Sequence, residues 1–167
     1  MLVHMEREQV DLETATGVAR DTVERIIWCT VSTSGPDGAP RSRLMHPVWW
    51  WDEPAPRALV TCRPTLLKRR HLAASPFVSC FYWDPAHDTV AIDAVAEWTG
   101  PADLRQAWAA IAAVSPPVGF DPAMIWPEGP DSDDCAILRL TAHRIVATPA
   151  GRPGVRWSAE AAPGASA

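Results

Sequence analysis

A chain of 167 residues, 47% apolar and 21% charged, has the length and balance of one domain with its own core. A net charge of −5 argues against a nucleic-acid surface, and the lack of any apolar run near 18 residues excludes a membrane-spanning helix. Cys29, Cys62, Cys80 and Cys135 contain no C-x-x-C, which excludes a zinc knuckle or redox dithiol and fits reduced core thiols.

The N-terminus carries Glu6, Arg7, Glu8, Asp11 and Glu13 and lacks the apolar core of a signal peptide, so a cytoplasmic protein is expected. Residues 9–24 place Leu12, Ala15, Val18, Ala19 and Val23 at helical spacing. Residues 26–33 (IIWCTVST) read as a strand, being rich in β-branched and aromatic side chains. Ser34-Gly35-Pro36-Asp37-Gly38 is a turn, because proline presets φ and Asp-Gly supplies a left-handed step. Residues 39–51 return as one long strand and complete a hairpin. Alternation puts Arg41, Arg43 and Met45 on one face and Ser42, Leu44 and His46 on the other, with Pro47 marking a bulge or an edge.

Residues 57–63 form a third strand. Thr65 then N-caps a short helix to Ala74, which Ser75-Pro76 ends. Residues 77–83 and 89–98 make a second hairpin, and Pro101 opens a helix to about Val114. Residues 116–134 are proline-rich and irregular, a candidate lid or interface loop. Residues 135–148 are the last strand. The element order does not alternate as a doubly wound sheet does; a mostly antiparallel, mainly β barrel with peripheral helices fits better. One domain over residues 1–150 is expected, followed by a small-residue tail, 151–167, disordered at its end.

Several chemistries are absent. There is no G-x-G-x-x-G, no G-x-x-x-x-G-K-[ST], no G-x-S-x-G and no paired-histidine metal motif. Asp131-Ser132-Asp133-Asp134 is no calcium loop, because Ala136 and Ala142 stand where glycine and glutamate are required. No metal site is expected. Charge distribution is more informative. From residue 54 to 83 there are five cations (Arg57, Arg63, Lys68, Arg69, Arg70) and no acid, the pattern of a local anion site in an acidic protein. Lys68 is the one lysine beside 14 arginines, a hint that a compact ammonium is wanted there. In Thr61-Cys62-Arg63-Pro64-Thr65-Leu66-Leu67-Lys68 a strand ends and a helix begins, which favours an anion, with Arg41 and Arg43 on the neighbouring strand. The same residues also read as a capped helix with solvated basic side chains.

Pro40-x-x-Arg43, a strand ending at Thr61, Lys68, Pro76 eight residues later before an apolar strand ending in Trp83, and Ala96-Glu97 after the alternating strand recur in a known order. In order and spacing they resemble the pyridoxamine 5'-phosphate oxidase-like family, over residues 24–99. The resemblance implies an antiparallel, Greek-key-like split β-barrel with peripheral helices that binds FMN or the deazaflavin coenzyme F-420. It implies that Arg43 and Lys68 contact the cofactor phosphate, with Thr61 and Thr65 near the phosphate or ribityl chain. The backbone of Leu44, Met45 and His46 would lie along the ring, and Arg41 and Arg63 would add charge beside the phosphate. It also implies a homodimer with the cofactor between subunits. The sequence departs from true oxidases at Val48, where a lysine is usual, at Thr89, where a glutamine is usual, and in lacking a C-terminal Arg-x-His.

A flavin or deazaflavin oxidoreductase acting on a small conjugated substrate is therefore expected, with a non-catalytic flavin or haem binder as the alternative. FMN ranks first. The cofactor carries hydride chemistry, so no catalytic residue is named. Of nine tryptophans most fill the core or an interface, while Trp49, Trp83 and Trp126 are candidates for a substrate pocket. His46 is either structural or placed near the flavin.

Overall fold

The computed structural model describes residues 7–52 and 54–159. A two-residue strand, β1 (Glu8–Gln9), precedes α1 (Leu12–Ile26). Asp11 starts the helix by accepting the Thr14 N–H at 2.8 Å. The predicted stripe faces inward, burying Leu12, Ala15, Ala19 and Val23. β2 (Cys29–Ser34) and β3 (Pro40–Met45) form the first hairpin, registered from Cys29 opposite Met45 to Ser34 opposite Pro40.

The long strand expected over residues 39–51 is two strands. It breaks at His46-Pro47, because proline offers no ladder N–H. The chain resumes as β4 (Val48–Trp50), which pairs with β5 (Arg57–Cys62) instead of β2. α2 (Leu66–Ala74) follows, then β6 (Phe77–Trp83) and β7 (Thr89–Trp98) as the second hairpin, then α3 (Pro101–Ala112). β8 (Ala136–Thr148) and β9 (Val155–Ser158) are the last strands among the described residues.

Among the described residues nine strands make one sheet in the order β1-β9-β8-β7-β6-β2-β3, with β5 on β8 and β4 on β5. Every pairing is antiparallel except β1 with β9. The 13-residue β8 organises the sheet. One edge follows β7 throughout; the other meets β5 with its first half and β9 with its second. The mainly β architecture with three helices is as expected. The hydrogen-bonded path is open, however: β3 and β4 are joined by the chain at His46-Pro47 and not by a ladder. β9 lies in the stretch read as a tail; that tail's far end falls outside the described residues.

Tyr82, Ile92, Leu140 and Ile145 are fully buried between the sheet and α1. Each of the three aliphatic side chains contributes about 1.5–3 kcal/mol on leaving water. A smaller cluster, Val48, Ala107, Ile111 and Ile137, sits under α3. All four cysteines are free and buried. Burial raises the Cys62 pKa and pushes Cys135 up to about 11, so both stay as thiols. Among the described residues no helix is long and apolar enough to cross a membrane.

Candidate functional site

At the end of β5 the chain turns through Arg63-Pro64 and Thr65 caps α2, its hydroxyl accepting the Lys68 N–H at 3.4 Å. The Lys68 side chain folds back, and Nζ donates to the Arg63 carbonyl at 2.9 Å. Arg43 arrives from β3, where its NH1 donates to Thr33 Oγ1 at 3.0 Å. Partial burial disfavours its charge and lowers its pKa. Burial raises the Cys62 thiol's pKa, and the charges of Lys68, Arg43 and Arg69 nearby oppose that rise.

These residues border a cleft of about 1000 Å³, at the upper end for small-molecule sites. It collects Arg43, Leu44, Met45, His46, Thr61, Arg63, Thr65, Lys68 and Trp126 from the expected set. Three expected residues lie elsewhere. Arg41 is exposed and donates to the Pro40 carbonyl at 2.8 Å. Trp49 is in the core, its Nε1 donating to the buried Tyr82 hydroxyl at 2.9 Å. Trp83 is half exposed on the outer sheet face, beside Trp28, Leu44 and Phe81.

The opposite wall is the proline-rich loop. Pro116-Pro117 is a cis bond, and a Cβ on Gly119 would run into the Val114 carbonyl. Asp121 caps the short turn Pro122–Met124 by accepting the Ala123 N–H at 2.9 Å. The loop reaches the sheet through His46, whose Nε2 donates to the Val118 carbonyl at 2.7 Å. The imidazole lies between Trp28 and Phe120, centroids 5.2 and 4.8 Å away. Burial lowers the His46 pKa, with the Val118 bond opposing, so the ring is neutral with its proton on Nε2. Trp28 is presented by Ile27, held at φ 70 and ψ −59 with the Trp28 N–H on the Ile26 carbonyl, a strained γ-turn. Trp126 Nε1 is buried without a hydrogen bond, yet near enough to Asp134 to help lower that carboxyl's pKa.

The remaining cations are engaged or turned away. Arg63 Nε donates to Asp134 at 2.9 Å, the largest cause of that carboxyl's lowered pKa. Arg69 lies over the Trp98 ring at 5.2 Å, and Arg70 is exposed outside the cleft. Arg43 and Lys68 alone are left to face an anion without an acidic partner among the described residues. Two cations beside a helix start, and an apolar wall of Trp28, Met45, Phe120 and Ile125, fit a flat ring bearing one phosphate. Among the described residues no group of three or more His, Cys, Asp or Glu is placed to hold a metal ion.

Trp28 and Phe120 line the cleft but are not legible in the sequence as site residues. Trp28 and Phe120 reach the cleft through a strained turn and an irregular loop.

No protein-family model and no curated protein matches the chain. Solved structures do. A Clostridium acetobutylicum protein related to general stress protein 26 of B. subtilis, of the pyridoxinephosphate oxidase family, is 14% identical. It superposes over 89% of this chain and 96% of its own, with a TM-score of 0.68. A pyridoxamine 5'-phosphate oxidase-related, FMN binding protein from Nostoc punctiforme is 15% identical over 87% of this chain and 86% of its own, TM-score 0.58. The chain has the pyridoxamine 5'-phosphate oxidase-like fold. A heme binding protein from Mycobacterium smegmatis shares this fold at 19% identity over 88% of this chain and 57% of its own, TM-score 0.64.

Proposed function

We propose that the chain binds FMN in this cleft and acts as a flavin-dependent oxidoreductase on a small, neutral, conjugated substrate. The observation that carries the reading is the meeting of Arg43, Lys68 and the Thr65-capped helix start at one end of an otherwise apolar cleft. Bound FMN would supply the hydride chemistry; the chain binds, orients and keeps out water. Arg43 and Lys68 hold the phosphate, Thr61 and Thr65 lie beside it, and Leu44 to His46 and the loop flank the ring. The opening between β3 and β4 is read as the split of the barrel.

The engagement of Arg63 and Arg69 favours FMN over the deazaflavin, whose long anionic tail needs free basic surface beyond one phosphate. It also favours a neutral substrate, because among the described residues a second anion would find no further unpaired cation lining the cleft. The acid on the loop wall, Asp121, is occupied by its capping bond. Trp28 and Leu44 continue from the cleft onto an exposed apolar surface with Phe81 and Trp83. A second copy of the chain seated there would cover ring and surface together. Light scattering with FMN present is expected to give a dimer.

Titration of FMN, the deazaflavin coenzyme and haem into the purified protein tests the cofactor. FMN is expected to bind at least about tenfold more tightly than either rival, a gap of roughly 1.4 kcal/mol. Tighter haem binding sinks the proposal. A bound flavin that no electron donor reduces would leave binding and remove turnover.

A further inference from the structure

One turn beyond Lys68 on α2, His71 is only 4% exposed, and no part of the site described above requires an imidazole there. Its Nδ1 lies 3.0 Å from Thr33 Oγ1, the same oxygen that accepts from Arg43 NH1 at 3.0 Å. Thr33 is itself only 5% exposed, so its hydroxyl hydrogen needs a protein acceptor. Among the described residues His71 Nδ1 is the acceptor in reach. This fixes the direction of the chain of bonds. Arg43 donates to Thr33, Thr33 donates to His71 Nδ1, and the imidazole carries its proton on Nε2. That side of the ring meets the β2–β3 turn: a Cβ on Gly35 would lie 3.0 Å from Nε2.

We infer that His71 is a positioning residue for the anion site, holding Arg43 through Thr33 at a set distance from Lys68. The inference rests on the proposed reading of the cleft as a phosphate site. The physical reason is preorganisation. Arginine is a long side chain, and ordering it only when the ligand arrives would weaken binding. Lys68 and His71 ride on one helix, while Arg43 and Thr33 ride on adjacent strands. The relay therefore locks the helix-borne cation and the strand-borne cation into one geometry. A leucine would fill the same buried space but could not accept the Thr33 hydrogen.

The test compares FMN with riboflavin, which has the same ring and no phosphate. His71→Leu is expected to weaken FMN binding roughly tenfold and to change riboflavin binding less than about twofold. His71→Asn, whose Oδ1 can take the place of Nδ1, is expected to recover most of the loss. Thr33→Val cuts the same link from the other end and is expected to reproduce the FMN-selective loss, with little added by His71→Leu in the double variant. Should His71→Leu fail to fold, Thr33→Val and His71→Asn still carry the comparison. FMN and riboflavin weakening together, or FMN binding untouched by Thr33→Val, would overturn the inference. A wild-type protein with no preference for FMN over riboflavin would overturn the phosphate reading and this inference together.

Discussion

The two walls of the cleft are held by different means. The wall at the β5–α2 junction is built locally: within eight residues Thr65 caps the helix and Lys68 folds onto the Arg63 carbonyl, and only the Arg63–Asp134 ion pair ties it to a segment 71 residues away. The loop wall is distant: Val118 meets His46 across 72 residues of sequence, through one side-chain hydrogen bond and a stacked pair. The first wall carries charge and little apolar surface; the second carries Phe120, Ile125 and Trp126 and little free charge. On the proposed reading of the cleft, anchoring and selectivity are thereby separated. Changes at the junction should act on the ligand's phosphate, and changes in the loop on what lies over the ring.

The largest expected effect is at the junction. Lys68→Ala removes a charged donor from a half-exposed position, so the fold should survive. FMN affinity is expected to fall by about 1.5–3 kcal/mol, roughly tenfold to over a hundredfold. Riboflavin binding should hardly move. Unchanged FMN binding by equilibrium titration would remove Lys68 from the site and erase the contrast between the walls.

Gly119→Ala tests the loop wall. The added methyl would meet the Val114 backbone, so the loop must shift. Overpacking of this kind costs about 1–3 kcal/mol. Thermal unfolding should register the loss, and affinity for riboflavin should fall alongside that for FMN, because ring contacts suffer and phosphate contacts do not. Loss confined to FMN would reverse the assignment of the walls.

The same contrast explains what could be read from the chain alone. The junction was legible because its signals are adjacent in sequence: a strand ending at Thr61, a capping threonine, a lone lysine one turn on. The second hairpin was legible because it alternates cleanly and its register runs without slip from Phe77 opposite Val95 to Trp83 opposite Thr89. Less was legible where neighbours decide. Residues 39–51 alternate as one strand, yet Pro47 sends β4 to a different partner. β9 is four residues amid Gly and Pro, too short to signal itself, and forms because the second half of β8 leaves an edge open. Trp49 could not be told from a pocket residue, since only the Tyr82 hydroxyl, on a distant strand, reveals its core position.

A smaller effect concerns pH at the latch between the walls. Burial is the main cause of the lowered His46 pKa, so the fold favours the neutral ring. The sign follows: the stabilisation is fully present above the ordinary histidine value of about 6.5, and is lost as pH falls through the lowered folded value. His46→Gln keeps an N–H donor for Val118 and cannot titrate. Unfolding temperatures at pH 7.5 and 5.5 should therefore differ less for His46→Gln than for wild type. The lowered pKa values of Asp11, Asp37 and Asp134 act only below about pH 4 and leave this window clear. Equal slopes for the two proteins would show that the latch does not titrate.

The smallest expected effect is the most informative about the cofactor. Arg69 follows Lys68 directly, and by sequence the two could serve one extended anion. The helix turns them apart: Arg69 lies over Trp98 and donates to the Pro64 carbonyl at 3.3 Å, away from the cleft. An exposed cation–π contact of this kind is worth about 0.5–1 kcal/mol to the fold. Arg69→Gln should therefore cost a little stability and leave FMN affinity within about twofold. A deazaflavin tail would have to run outward from the phosphate and meet Arg69 or Arg70. Markedly tighter deazaflavin binding, lost in Arg69→Gln or Arg70→Gln, would show that these arginines leave their present contacts for the ligand. It would reverse the order of the two cofactors and extend the charged wall well past Lys68.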